Sequence, residues 1–250
     1  MTPIITLLTD FGTADGYVGE MKGVLLTASP GVMIVDISHD IPAHDVELGR
    51  LTLARYWRRF PAGTVHVAVV DPEVGSTRAA LAIQSEERYL VGPDNGLLSP
   101  ALLIGGARAV ELAVPSHASP TFHGRDVFAP AAAQLVLGAD VDALGPPAND
   151  PVIRRTPEPH RGQHGELVGQ VIAIDQFGNA ITNLVGIRGA RAERIEVHGR
   201  KIPLRRTYAD LTSGEAGAVV GSTGLIEIVV REGRASDVLS LGRGTEVVLR

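Results

Sequence analysis

Two aspartates follow directly on apolar, β-branched runs: Asp10 after Ile4–Thr9 and Asp71 after Val65–Val70. If those runs are parallel strands, ligands bind beyond their carboxyl ends. A carboxylate there can take a ribose diol, hold a metal or act as a base. The same residue type also caps helices and forms turns, but two such aspartates, each with a glycine close by, weight the functional reading. In Asp71-Pro-Glu-Val-Gly-Ser-Thr-Arg78, Pro72 and Gly75 shape a tight turn that can bring Arg78 back to Asp71 as an ion pair, either a structural clamp or part of a reaction centre. His123, in the polar cluster Thr121-Phe-His-Gly-Arg-Asp126 ahead of a helix, is a candidate third member.

Other segments carry weaker signals. The stretch His39-Asp-Ile-Pro-Ala-His44-Asp45 offers two histidines and two aspartates, but its spacing matches no zinc pattern, and a solvated loop before a helix fits equally. Asp10-Phe11-Gly12 has the letters of the kinase magnesium motif, without the glycine-rich loop, strand lysine or His-Arg-Asp loop that belong with it. No Walker loop or GxGxxG follows a strand. Further on, Asp175-Gln-Phe-Gly-Asn-Ala-Ile-Thr-Asn183 suits a hairpin turn, and its Phe177 and Asn179 could equally stack on a base and bond its edge. Gly221-Ser-Thr-Gly224, with Ser222 at its centre, is ambiguous in the same way.

These residues need elements to hold them. Up to about Gly145, strand runs at Ile4–Thr9, Val32–Ile37, Val65–Val70, Ala79–Gln84 and Ala109–Val114 alternate with segments of helical period. Val18, Met21, Val24, Leu25 and Ala28 share a helical face; Asp45 suits the N-cap of a helix reaching Phe60; a last helix is expected over Asp126–Leu137. This pattern predicts an α/β domain, residues 1–145, with a mostly parallel sheet flanked by helices. Residues 146–165, rich in proline and without period, read as a linker. Over residues 166–250, short strands at Leu167–Ile174, Ile195–His198, Ala218–Val220, Leu225–Val230 and Glu246–Leu249, separated by turn signals, predict a small all-β, barrel-like domain.

Composition narrows the function classes. The 250 residues are 44% hydrophobic and 20% charged, ordinary for a globular protein. A net charge of -5 with only short arginine pairs disfavours nucleic acid. The absence of cysteine excludes disulfides, thiolate metal sites and a cysteine nucleophile. No apolar run approaches the ~20 residues of a membrane span, and the N-terminus reads as a first strand and not as a signal peptide, so the cytoplasm is the expected compartment.

Taken in order, several segments together resemble the S-adenosylmethionine (SAM) hydroxide adenosyltransferase family, water-using relatives of the SAM-dependent fluorinase and chlorinase. They are Leu8-Thr-Asp-Phe-Gly12 with Asp15-Gly-Tyr-Val-Gly19, Val70-Asp-Pro-Glu-Val-Gly75 with Arg78, Gly92-Pro-Asp-Asn-Gly-Leu97, Phe122-His-Gly-Arg-Asp126, Asp175-Gln-Phe-Gly-Asn179 and Gly221-Ser-Thr-Gly224. The resemblance implies an enzyme that splits SAM into adenosine and methionine with water. It implies a homotrimer whose sites lie between subunits, and neither metal nor cofactor. By it, Asp10 binds the ribose hydroxyls, Asp15 and Asp175 hold the methionine end, and Phe177, Asn179 and Ser222 line the adenine and methionine contacts. Asp71, Arg78 and His123 form the water-handling set. The halogenating relatives carry tyrosine where Asp71 stands, and the fluorinase carries serine at Gly124, tryptophan at His44 and arginine at Thr223. The sequence thus follows the water-using branch, and leaves the methionine carboxylate without an obvious cationic partner. The rival readings are a metal-dependent hydrolase using Asp10, His39, His44 and Asp71, and a non-catalytic SAM- or adenosine-binding protein.

Overall fold

The computed structural model describes residues 2–186 and 194–250, which form one compact unit up to Arg155 and another from Thr156. The first unit holds six strands: β1 (Ile4–Thr9), β2 (Met33–Ser38), β3 (Val65–Val69), β4 (Ala80–Ser85), β5 (Arg88–Pro93) and β6 (Arg108–Glu111), in the order β2-β1-β3-β5-β4-β6. β1 runs parallel to β2 and β3, and β3 to β5, while β4 is antiparallel to both β5 and β6. Only β4 therefore runs against the rest, as expected of a mostly parallel sheet. The helices are α1 (Tyr17–Ala28), α2 (Val46–Tyr56), the single turn α3 (Ser99–Leu102) and α4 (Ala129–Val136).

Strand side chains alternate between two buried layers. Ile5, Leu7, Val65, Val67 and Val69 pack with Met21 and Leu25 of α1 and Ala132 and Leu135 of α4. Leu8, Ala68 and Val70 face the other way, onto Leu53 of α2, Trp57 and Ala101. Asp45 caps α2 by accepting the Leu48 N–H at 2.9 Å, and the helix ends in a 3-10 turn over Trp57–Arg59 just short of Phe60.

Two features depart from the periodicity. The stretch Gly124–Phe128, which overlaps the start of the helix expected from Asp126, is a wide π-type turn, closed by the Ala129 N–H on the Gly124 carbonyl. Pro130 has no N–H and its ring would strike the carbonyl of Asp126 in a continuous α-helix, so the widened turn admits it. β5 follows β4 through Glu86-Glu87, both at positive φ (46° and 60°), a tight hairpin turn made from residue types that do not announce one.

Residues after Gly145 stay on the first unit: Pro147 bridges Val110, and the Val152 N–H reaches Asp94 Oδ1 at 2.8 Å. In the second unit β7 (His160–Arg161), β8 (Leu167–Ile174), β9 (Ala180–Val185), β10 (Arg194–Val197), β11 (Arg200–Pro203), β12 (Ala216–Val220), β13 (Leu225–Val230) and β14 (Glu246–Leu249) form one antiparallel sheet, order β11-β10-β14-β8-β9-β13-β12 with β7 on β8. A bridge from Leu204 to Ala218 joins the chain beyond β11 to β12, so the sheet curls to near closure around Val171, Leu184, Ile195, Ile226, Ile228 and Val247. A short helix, α5 (Ala235–Val238), follows β13. Among the described residues no helix is long and apolar enough to cross a membrane.

Candidate functional site

Asp10 and Asp71 lie past the carboxyl ends of neighbouring parallel strands, since β1 and β3 pair with Thr9 opposite Val69. Asp10 is held by the loop between β2 and α2: its Oδ2 accepts the His44 N–H at 2.8 Å, with His44 at φ 68°. His39 ties this loop to the one after β1: its Nδ1 meets Thr9 Oγ1 at 2.8 Å, its Nε2 lies 3.1 Å from Asp36 Oδ1, and its carbonyl accepts the Gly12 N–H at 2.8 Å. The buried His39 is thus hydrogen-bonded through Nδ1, while Nε2 stands beside the Asp36 carboxylate without making a hydrogen bond. Among the described residues no three His, Asp or Glu side chains are grouped so as to hold a metal ion. The metal set of Asp10, His39, His44 and Asp71 therefore finds no support in the geometry.

Arg78 does return to Asp71. Its Nε donates to Asp71 Oδ1 at 3.0 Å, its Nη2 pairs with Oδ2, and both side chains are almost wholly shielded, at 5% and 4% exposure. The same Nη2 lies 3.0 Å from His123 Nδ1. A guanidinium only donates, so Nδ1 must be the acceptor and the ring proton sits on Nε2. Burial, and then the Arg78 charge, lower the His123 pKa below the ordinary histidine value, with Asp71 and Asp126 opposing; the ring is therefore neutral at pH 7. The Nε2–H of His123 is left as a donor, beside the second N–H of Arg78 Nη1, whose first goes to the Ala79 carbonyl at 3.2 Å. Arg78 also lies over the fully buried Phe128 ring at 5.4 Å, which fixes the guanidinium plane.

The loop carrying Asp71 and Arg78 meets the loop carrying His123 at Gly75, where any Cβ would collide with the Pro120 carbonyl. Behind His123, Phe122 stacks edge-on with Phe11 at 5.9 Å and Tyr17 at 5.3 Å, so the loops after β1 and before α4 share an aromatic wall. Asp126 accepts the Ser119 N–H at 2.8 Å and is paired with Arg125, which holds the turn closed. Arg125 foremost keeps the Asp126 pKa low. A Cβ at Gly124 would meet Met21, Phe122 and Phe11 at 3.2 to 3.3 Å, so a larger residue there crowds the wall. Asp15 is exposed in the loop ahead of α1.

In the second unit the Asp175–Asn179 segment is the expected hairpin turn, between β8 and β9. Asp175 organises it: Oδ1 accepts the N–H groups of Phe177 and Asn179, each at 2.9 Å, and Oδ2 accepts Asn179 Nδ2 at 3.0 Å. Phe177 is left 66% exposed at the tip, while Asn179 is buried. They line one recess together with Tyr208, Val230 and Arg234. Tyr208 escapes sequence reasoning because a lone aromatic after Arg205-Arg206-Thr207 has no periodic context. Its hydroxyl donates to the buried Glu227 at 3.1 Å; burial, then the Glu227 charge, push its pKa up to about 12. Ser222 is exposed in the turn Gly221–Gly224 that leads into β13.

Comparison with known proteins identifies the family of the two domains. Residues 5–145 match the model of the SAM hydroxide adenosyltransferase N-terminal domain, and residues 169–248 that of its C-terminal domain. The chain is 40% identical to an (R)-S-adenosyl-L-methionine hydrolase of Thermus thermophilus, over 100% of both sequences. It is 31% identical to a fluorinase of Nocardia brasiliensis, over 87% of this chain and 86% of that one. The crystal structure of an uncharacterized conserved protein from Thermotoga maritima superposes with a TM-score of 0.89 at 32% identity, covering 98% of this chain and 99% of that one.

Proposed function

Because the chain belongs to the SAM hydroxide adenosyltransferase family, we propose that it hydrolyses SAM to adenosine and methionine, with Asp71, Arg78 and His123 handling the water. The observation that carries this is the convergence of those three side chains in one shielded cluster, with the His123 Nε2–H donor and an anionic acceptor left for a small molecule. Water attacks ribose C5′; the new C5′–O bond forms as the C5′–S bond breaks, and its electron pair neutralises the sulfonium. Methionine leaves as a neutral thioether, so the leaving group needs no general acid. The proton lost from water passes to Asp71 or to solvent.

Free water, at a pKa of ~15.7, is a poor nucleophile, so orientation has to help. Asp71, gripped on two oxygens by Arg78, retains lone pairs to accept a water proton. The Nε2–H of neutral His123 can hold the water oxygen. A positioned base of this kind contributes ~10²–10⁴-fold. For the substrate we assign the ribose hydroxyls to Asp10, the methionine end to Asp15 and Asp175, and adenine and methionine contacts to Phe177, Asn179 and Ser222. The three hydrogen bonds that Asp175 makes within its own turn give it a second part, presenting Phe177 and Asn179. No cofactor or metal takes part in this scheme, and the assembly is the homotrimer that the family resemblance implies.

Incubation of the protein with SAM in ¹⁸O-labelled water tests the reading. Adenosine carrying the label on its 5′-hydroxyl, with unlabelled methionine, is the expected result. Intact SAM would leave only a binding protein, and label in methionine would place the attack elsewhere.

A further inference from the structure

The segment Gly92-Pro-Asp-Asn-Gly-Leu97 has no part in the chemistry above, yet it grips both ends of the loop that carries Asp71 and Arg78. Asn95 is buried at the end of β5, and its Nδ2 donates to the carbonyl of Val70 at 2.8 Å. Val70 is the residue before Asp71 and lies past the last ladder position of β3, so its carbonyl has left the sheet. The neighbouring Asp94 N–H donates to the carbonyl of Ala79, the residue after Arg78, at 2.9 Å. Two consecutive residues thus fix the peptide planes on either side of the loop. Asn95 is itself locked: its Oδ1 accepts the Leu97 N–H at 3.1 Å and its carbonyl accepts Arg154 Nε at 2.8 Å. Gly92 admits this close packing, because any Cβ there would collide with the carbonyl of Ala68 on β3.

We propose that Asn95 is a positioning residue for the water-handling cluster, acting through the Val70 carbonyl on the direction in which Asp71 projects. The inference rests on the roles proposed for Asp71, Arg78 and His123. The guanidinium of Arg78 must meet Asp71 at 3.0 Å, His123 at 3.0 Å and the Ala79 carbonyl at 3.2 Å at once. A shift of Asp71 by about 1 Å breaks that simultaneity, and misplacements of this size cost on the order of 10²-fold in rate.

The test is Asn95→Asp, which keeps the shape and the acceptor for Leu97 but sets an oxygen against the Val70 carbonyl. Steady-state kinetics with SAM, normalised to sites titrated calorimetrically with adenosine, should show kcat down by roughly 10- to 10²-fold and KM within about three-fold. Introduced into Asp71→Asn, the same change should cost less than about two-fold, because the group it positions is already disabled. Asn95→Ser is read identically if Asn95→Asp does not fold. Unchanged kcat per titrated site would overturn the proposal, as would costs that multiply across the two backgrounds. Full turnover by Asp71→Asn alone would instead overturn the water-handling reading, and the positioning role with it.

Discussion

Replacing Arg78 with alanine removes the cationic partner of a carboxylate that is only 4% exposed. The native pair is shielded from bulk solvent, so the screening that makes surface pairs nearly worthless does not apply. Three neighbours lose a donor together: both oxygens of Asp71, the Nδ1 of His123 and the carbonyl of Ala79. Stranding one charge of a buried pair costs about 3–5 kcal/mol, a large share of the ~5–15 kcal/mol that holds a typical domain. Arg78→Lys keeps the charge but cannot reproduce the planar fork, and losing one charged hydrogen bond costs about 1.5–3 kcal/mol. The double variant Asp71→Asn/Arg78→Ala removes the stranded charge and should recover part of the loss, with a coupling of about 2 kcal/mol or more. Urea unfolding at fixed protein concentration measures all of these. The chain has a single tryptophan, Trp57, buried in the first unit, so its fluorescence reports on the unit that holds the pair. If Arg78→Ala shifts stability by less than about 1 kcal/mol, or the double variant is no more stable than the single, the pair is not the buried charge clamp argued here.

His66 provides an acid-sensitivity prediction. Burial, reinforced by the Arg88 charge and opposed by the Trp57 carbonyl, lowers its pKa to about 3 from 6.5, inside a box of Tyr56, Trp57 and Phe60 rings. Between those two values the unfolded chain binds a proton that the folded chain refuses, so this group's contribution is complete above pH 6.5 and is lost as pH falls towards 3. The slope is about 1.4 kcal/mol per pH unit, and His66→Gln should flatten it in urea unfolding across that window; equal slopes in both proteins would refute the assignment. Light scattering should report three chains per particle, and a fully active monomer would rule out both the homotrimer and sites shared between subunits.

Local chemistry determined much of this protein. Continuous apolar runs fixed β1 and β3, because strands covered on both faces need no alternation; Asp45 fixed the start of α2 through a bond made within four residues. The Asp71–Arg78 pair was readable for the same reason: Pro72 and Gly75 turn the chain within one short loop. The family motifs carried the resemblance across the whole chain. Tertiary structure decided what depends on distant segments meeting. Strand β5 and its turn at Glu86-Glu87 left no signal, since neither glutamate prefers positive φ and only the packing of β4 against β5 imposes it. His123 joins Arg78 across 45 positions through the approach of Gly75 to Pro120, which no spacing encodes. The polar loop at His39 offered a metal site and supplied a buried brace, because folding sets the His39 ring between the Thr9 hydroxyl and the Asp36 carboxylate. Asn95 follows the same logic: its residue type is common in turns, and only the position of the Val70 carbonyl beyond the end of β3 makes it a clamp.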